Sequence, residues 1–254
     1  MACNWEYQMT HKFKHIFING CSHTAGSEIE GSALGDTEYN REHCFGAQLA
    51  RRLGVDYTNN ALPGGSNDYI FRTTNFWIQD NIELAKQSLF LINWTGAARA
   101  EYFHNGVDDN NWFWMQIPFV PDENVGHLHP NYFSYVDKQD SANAKAVSRH
   151  LFMSETHWEI NRYMNILNLQ SMLKVHDIPY IFKNSLEFCS KNTRFQYYSS
   201  RIDRRNYKGY NDESESFFEH CLDAGFSIKG QALHHHKIEA HTYWADKLFR
   251  ENFS

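Results

Sequence analysis

Short apolar runs alternate with helically spaced segments along this chain, and polar turns separate them. Residues 15–19 and 88–95 are almost continuously apolar, which is typical of strands covered on both faces. Residues 44–53 and 68–86 have helical spacing, and the second segment is interrupted near Asn81. A repeated order of strand, polar turn and helix predicts parallel βαβ units with right-handed crossovers.

The remaining predicted elements continue this order: strands at 55–60 and 179–184, and helices at 141–176, 216–224 and 238–253. We therefore expect a single α/β domain over residues 1–254, because one domain of this length is common. The predicted architecture is a three-layer α/β/α sandwich with a central parallel sheet of about five strands.

The alternation breaks between residues 100 and 140, where the chain is rich in aromatic residues, Asn and Asp. Segments of this length without regular structure in a compact domain are usually functional or disordered, and the aromatic content argues against disorder. We interpret the segment as an inserted lid or specificity loop beside a cleft. The alternative is an insertion that packs on the outer helices or makes an oligomer contact.

Composition narrows the class of partner. The net charge is −6 without a long basic block, which argues against a dedicated nucleic-acid binder. No apolar run approaches the roughly 20 residues of a membrane span, and the five cysteines contain no CxxC pair that would suggest a zinc ribbon or a disulfide framework. We expect a cytoplasmic protein without a cofactor, whose partner is a small-molecule or glycan substrate; an oligomer is compatible with the sequence.

The first strand ends in Gly20-Cys21-Ser22-His23-Thr24, a tight turn that presents a small polar residue. Ligands and chemistry in open α/β sheets gather outside the carboxyl ends of strands. Ser22 is therefore the first candidate for a nucleophile. The alternative is that Ser22 only caps the following turn.

Three further polar blocks follow in an order that resembles the SGNH (GDSL-like) hydrolase superfamily. Gly20-Cys21-Ser22 stands where that superfamily has Gly-Asp-Ser, and the turn around Gly64, with Gly65 as the alternative register, matches its oxyanion glycine. Asn93-Trp94-Thr95-Gly96 stands in place of Gly-x-Asn-Asp, and His235 precedes the last helix as the catalytic His does. The variant motifs are most similar to a divergent phage and marine-bacterial branch, which would place the protein in an infected bacterium or a virion.

The resemblance implies a serine esterase that cleaves an ester, an O-acetyl or other carbohydrate ester being one candidate. Ser22 would attack the acyl carbon, and His235 would serve as general base and then as general acid. The N–H groups of Ser22 and Gly64, with Thr95 or Asn93, would form the oxyanion hole. Substrate contacts would come from His23, Arg99, Trp94, Trp112 and Trp114.

The triad acid is missing from its usual place, because Ala232 stands three residues before His235. A Ser22–His235 dyad could still work if a backbone carbonyl or a distant carboxylate, such as Asp223, orients the imidazole. The third-block Asn is missing as well, and both departures support a second hypothesis, a catalytically weakened SGNH-fold protein with a binding or structural role, for example in a phage particle. A third hypothesis is that the protein transfers the acyl group to an acceptor instead of hydrolysing the ester.

Several candidate residues also have a purely structural interpretation. His23 could cap a turn or lie at the surface. Arg99 could bind a substrate carboxylate or phosphate through two hydrogen bonds, or could equally pair with an acid such as Glu101 at the surface. Cys21 is expected to be a small packing residue. The histidines at 234–236, with His241, could in principle bind a metal, but adjacent residues of an extended segment point to opposite faces, and we predict no metal.

Overall fold

A computed structural model describes residues 13–31, 37–97, 99–105, 112–118, 155–186, 189–228 and 235–254. The part of the chain that it describes forms a mixed α/β fold around a parallel sheet. Six strands are present there: β1 (His15–Asn19), β2 (Asp56–Asn59), β3 (Ser88–Trp94), β4 (Arg99–Asn105), β5 (Trp112–Pro118) and β6 (Tyr180–Asn184).

Four of the strands build the main sheet in the order β2-β1-β3-β6, and every neighbouring pair is parallel. The chain first grows from β1 to β2 and then crosses to β3 on the other side of β1. The reversal makes the carboxyl end of β1 a topological switch point, where open α/β sheets bind ligands. Ser22 follows directly from this end.

The helices are α1 (Ser22–Ala25), α2 (Glu38–His43), α3 (Phe45–Leu53), α4 (Asn67–Asp80), α5 (Ile82–Ala85), α6 (Glu155–Val175), α7 (Gln196–Ser199), α8 (Phe217–Asp223) and α9 (Ile238–Phe253). Short 3₁₀ turns lie at Thr193–Phe195 and Glu213–Glu215. Many of the bounds follow from local chemistry. Gly54 ends α3 in the left-handed conformation, Asn81 interrupts the helical run between α4 and α5, and the Ser216 side chain caps α8.

Alternate residues of the strands pack into two hydrophobic clusters, because successive side chains of a strand point to opposite faces. Phe17, Phe90 and Phe182 pack with residues of α4 and α6. Ile18, Leu91 and other strand residues pack with α3, α8 and α9. The nearly continuous apolar character of β1 and β3 therefore reflects burial on both faces, as their sequences predict.

The predicted count of about five strands is not confirmed, since the parallel sheet has four strands within the described ranges. The full three-layer arrangement stays a prediction. Helix α6 begins at Glu155, and residues 141–154, where the sequence also predicts helix, lie outside the described residues.

The aromatic segment contains regular structure that its sequence did not predict. β4 and β5 pair as an antiparallel two-stranded sheet, with Arg99 opposite Pro118 and Asn105 opposite Trp112. Trp112 and Trp114 lie on β5, but their side chains are outside the described part, as are residues 106–111 and 119–154. The prediction that these two residues contact a substrate therefore stays untested.

Among the described helices, none is both long enough and apolar enough to cross a membrane.

Candidate active site

The turn over Gly20–Thr24, named the nucleophile turn after its candidate nucleophile Ser22, folds back on itself within one helical turn. The N–H groups of Thr24 and Ala25 both donate to the Cys21 carbonyl, and Gly26 ends α1 with a φ of 84°. A Cβ at Gly26 would lie 2.4 Å from the Asn40 carbonyl oxygen, so this position requires glycine for both its φ and its close approach. The reversal sends the following residues back beneath Ser22.

Glu28 lies in this returning segment, fully buried, with a φ of 64°. A non-glycine residue in the left-handed region is uncommon and is a recurrent feature of functional sites. The side chain of Lys237 donates hydrogen bonds to the backbone carbonyls of Glu28 and Gly31, the second at 3.1 Å. The Asn40 side chain accepts from the Glu30 N–H at 2.8 Å. These contacts hold the strained residue in place.

Ser22, His235 and Glu28 form one hydrogen-bonded chain. His235 Nε2 lies 2.8 Å from Ser22 Oγ, and its Nδ1 lies 3.2 Å from Glu28 Oε2. The same carboxylate oxygen accepts the backbone N–H of His235 at 2.9 Å. Because a carboxylate only accepts, Nδ1 carries the proton and Nε2 is left to accept from the Ser22 hydroxyl.

Burial lowers the pKa of His235 below its usual value, and the positive charges of Arg99 and His236 act in the same direction. The hydrogen bond and charge of Glu28 raise this pKa and partly oppose the shift. The net effect is a neutral imidazole at neutral pH, which is the form that can accept a proton from a hydroxyl.

His23 is buried beside His235, with ring centroids 4.5 Å apart, and its ring also meets Phe217 and Phe218 edge-on. Burial first, and then neighbouring positive charges, hold its pKa well below the usual range. The alternative that His23 lies at the surface is wrong, because its ring packs against Phe217 and Phe218 and is buried. That His23 contacts a substrate stays a prediction. Its Nδ1 has no hydrogen-bond partner among the described residues.

The second polar turn, around Gly64, lies directly against the nucleophile turn. The Leu62 N–H donates to the Gly20 carbonyl at 3.2 Å, and Gly64 adopts a φ of 78°. A Cβ at Gly65 would lie 2.9 Å from the Leu62 carbonyl oxygen and 3.2 Å from that of Gly20. The Gly65 N–H already donates to Leu62. Gly64 is therefore the better oxyanion candidate of the two glycines.

The third polar turn, which follows β3 at Thr95 and Gly96, is held by Asn67 at the start of α4. Its side-chain oxygen accepts the Thr95 N–H at 3.0 Å, and its nitrogen donates to the carbonyls of Thr95 and Gly96, both at 3.2 Å. The Thr95 hydroxyl and the Asn93 carboxamide are buried, and neither has a hydrogen-bond partner within the described ranges. The register between β1 and β3 places both residues beside the end of β1.

Two predictions for the site are wrong. Trp94 is fully buried and packs edge-on against Phe182, 5.4 Å between centroids, which places it in the core rather than at the substrate site. Asp223 is exposed at the end of α8 and does not orient His235. The carboxylate in that position is Glu28, which is 207 residues away from the histidine in sequence.

The other histidines of the cluster have structural partners. His236 Nε2 donates to the Phe218 carbonyl at 3.1 Å, and His241 Nδ1 accepts the Phe45 N–H at 3.2 Å, at the start of α3. His234 lies outside the described residues. Within the described part of the chain, no group of three or more His, Cys, Asp or Glu side chains is arranged to hold a metal ion.

Cys21 is buried as a free thiol beneath the nucleophile turn, in agreement with a packing role.

The profile of DUF6071, a family of unknown function, matches residues 29–247. This chain belongs to the DUF6071 family. Its match includes His235 and begins one residue after Glu28. Among curated protein sequences, none matches the chain.

Two solved structures resemble this DUF6071 protein at low identity. One is the psychrotrophic esterase EstA from Pseudoalteromonas sp., inhibited by monoethylphosphonate, with 12% identity, a TM-score of 0.44 and coverage of 94% of this chain and 96% of that chain. The other is a carbohydrate esterase whose active site displays divergent catalytic and non-catalytic binding functions, with 11% identity, a TM-score of 0.45 and coverage of 93% and 67%. The likeness is distant.

Glu28 is the residue of this DUF6071 site that sequence reasoning misses. The SGNH resemblance directs attention to the positions just before the histidine, whereas the carboxylate lies six residues after Ser22. The sequence contains one weak signal for this carboxylate: Glu28 and Glu30 are the acidic residues nearest to Ser22 along the chain.

Proposed function

We propose that this protein is an SGNH-like serine hydrolase that cleaves an ester through a triad of Ser22, His235 and Glu28. The observation that carries the proposal is the continuous hydrogen-bonded chain from a buried carboxylate through an imidazole to a serine hydroxyl. A positioned carboxylate fixes the imidazole tautomer and stabilises the imidazolium that forms during acyl transfer.

In the first half-reaction, Ser22 Oγ attacks the acyl carbon while its proton moves to His235 Nε2. The Oγ–acyl bond forms, the ester C–O bond breaks, and the leaving alkoxide takes the proton from Nε2. In the second half-reaction, His235 takes a proton from water, the resulting hydroxide attacks the acyl-enzyme, and Ser22 regains its proton as the acid is released.

The oxyanion would be stabilised by the N–H groups of Ser22 and Gly64. Ser22 is the first residue of α1, so its N–H has no acceptor within the helix. The buried Thr95 hydroxyl, without a partner in the described residues, is a suitable third donor, and Asn93 is the alternative. One lost donor of this kind typically costs ~10²–10³ in rate.

The alternative of a weakened binding or structural protein rested on two departures, the absence of a triad acid before His235 and the missing third-block Asn. The Glu28 carboxylate, which accepts a hydrogen bond from His235 Nδ1, weakens the first of these supports. The finer expectations, a carbohydrate ester as substrate, a phage origin and a cytoplasmic location, stay predictions.

The test is hydrolysis of p-nitrophenyl acetate by wild type, Ser22→Ala and Ser27→Ala. Ser27 is a matched control, because it is buried in the same turn and its hydroxyl has no partner among described residues. We expect Ser22→Ala to lose ~10³-fold or more of the rate and Ser27→Ala to retain most of it. Equal rates for wild type and Ser22→Ala, with both proteins folded, would remove Ser22 from the mechanism.

A further inference from the structure

Arg99 begins β4, immediately after the turn that carries Thr95. That turn is held by Asn67, and the Arg99 N–H donates to the Ala97 carbonyl at 2.8 Å. These contacts place the Arg99 backbone beside the carboxyl end of β3. The position is set by the same contacts that hold the Thr95 turn.

One nitrogen of the half-buried Arg99 side chain lacks a partner. Its Nη1 is buried from solvent and has no hydrogen-bond partner in the described part of the chain. The structural interpretation, a pair with Glu101, is not what the structure contains: Arg72 binds the Glu101 carboxylate through two hydrogen bonds of 2.7 and 2.6 Å. Because a buried cationic donor without an acceptor is costly, this group needs an explanation.

The charge of Arg99 acts on the two histidines that lie beside Ser22. Burial is the main cause of the lowered pKa of His23 and of His235, and the positive charge of Arg99 lowers both further. Glu28 approaches His235 from the Nδ1 side, so the acid already serves the imidazole. The unpartnered Thr95 hydroxyl and Asn93 carboxamide lie four and six residues before Arg99 on the same connection. Buried polar groups without partners among the described residues are thus concentrated at the carboxyl end of β3 and in the segment that follows it.

We propose that the Arg99 guanidinium binds a carboxylate carried by the ester substrate, so that the natural substrate is an anionic ester. The inference rests on the proposed hydrolase function and adds its substrate class. A guanidinium presents a rigid fork of N–H donors that matches a carboxylate with two parallel hydrogen bonds. Such a contact would satisfy Nη1 and fix the distance between the carboxylate and the acyl carbon.

The experiment compares esters that differ only in a carboxylate. One pair carries it on the alcohol side (4-acetoxybenzoate and phenyl acetate), and the other on the acyl side (p-nitrophenyl hemisuccinate and p-nitrophenyl propionate), with spontaneous hydrolysis subtracted. We expect wild type to prefer the charged member of at least one pair by tenfold or more in kcat/KM. Arg99→Gln should abolish the preference, a loss of roughly 10- to 100-fold on the charged ester, because a hydrogen bond to a charged group has that value.

Arg52→Gln is the matched control, since Arg52 is an exposed arginine of α3 that pairs with Asp246. It should leave the preference unchanged. Equal rates within both ester pairs in wild type would overturn the inference while leaving the hydrolase proposal standing. An equal loss on charged and neutral esters in Arg99→Gln would overturn it as well, because Arg99 would then act on the catalytic groups alone.

A binding measurement separates failure of this inference from failure of the hydrolase proposal. 4-Acetoxybenzoate is titrated by calorimetry into Ser22→Ala and into the double variant that also carries Arg99→Gln. We expect binding to the first and a loss of tenfold or more in affinity for the second. Arg99-dependent binding without any Ser22-dependent hydrolysis would overturn the hydrolase and keep the anion site, whereas equal affinities would overturn the anion site.

Discussion

His235 and His236 are adjacent buried imidazoles with different surroundings. His235 has a carboxylate at one ring nitrogen and a hydroxyl at the other, whereas His236 donates to the Phe218 carbonyl and packs against phenylalanine rings. His241, one turn into α9, accepts from a helix N-terminal N–H. Burial lowers the pKa of all three. Burial alone therefore does not make a histidine suited to proton transfer. His235 differs in having a carboxylate at Nδ1 and a hydroxyl at Nε2.

The largest effect that would separate these histidines is on turnover. His235→Gln removes the general base and is expected to lower kcat for p-nitrophenyl acetate by ~10⁵-fold, as for the base of other serine hydrolases. His236→Gln keeps a donor for the Phe218 carbonyl and should lose less than tenfold. Comparable losses in the two variants, both folded by circular dichroism, would contradict the distinction.

The next effect concerns the acid. Glu28→Gln keeps the shape of the side chain but removes the charge that stabilises the imidazolium, and kcat should fall by ~10²–10⁴-fold. Because Glu28 raises the pKa of His235, its loss should also move the acidic limb of the kcat/KM profile to lower pH. Glu30→Gln, at an exposed carboxylate of the same turn, is the control. An unchanged limb and rate in Glu28→Gln would remove Glu28 from the site.

His241 should affect acid stability rather than turnover. Burial lowers its pKa to about 3, from 6.5 in the unfolded chain, so the unfolded state binds more protons between these values. The stabilisation that His241 contributes to the folded state is present above pH 6.5 and is lost as the pH falls towards 3. The total loss is about 5 kcal/mol. His241→Gln should flatten the fall of the free energy of unfolding between pH 7 and 4.

Urea denaturation at several pH values measures this slope. His157→Gln, at an exposed position of α6, is the control and should leave it unchanged. A slope in His241→Gln as steep as that of wild type would contradict the assignment.

The smallest effect tests how Glu28 is held. Lys237→Met removes the hydrogen bonds to the carbonyls of Glu28 and Gly31 and should lower kcat roughly tenfold, since one charged hydrogen bond contributes ~1.5–3 kcal/mol. Lys237→Arg should restore most of the rate, because it keeps a cationic donor. If Lys237 only stabilised the fold, the free energy of unfolding would fall while the kcat of the folded protein stayed unchanged.

Local patterns in the sequence determined most of the described elements. Continuous apolar runs specify β1 and β3, helical spacing with Gly54 specifies α3, and Asn81 marks the break before α5. The same patterns locate Ser22 and His235, because each lies at the edge of a predicted element. The β4–β5 pairing was not predicted, because the composition of an aromatic-rich segment does not show which two stretches of it pair as antiparallel strands.

Only the tertiary structure decided which acid serves the histidine, which face Trp94 occupies and which arginine pairs with Glu101. Glu28 becomes the acid because the left-handed φ values at Gly26 and Glu28 fold its segment back beneath Ser22, and because Lys237 of the His235 segment holds it there. The local pattern of residues predicts the secondary structure of a segment. The contact between a carboxylate and an imidazole 207 residues apart depends on how the whole sheet brings two turns to one edge.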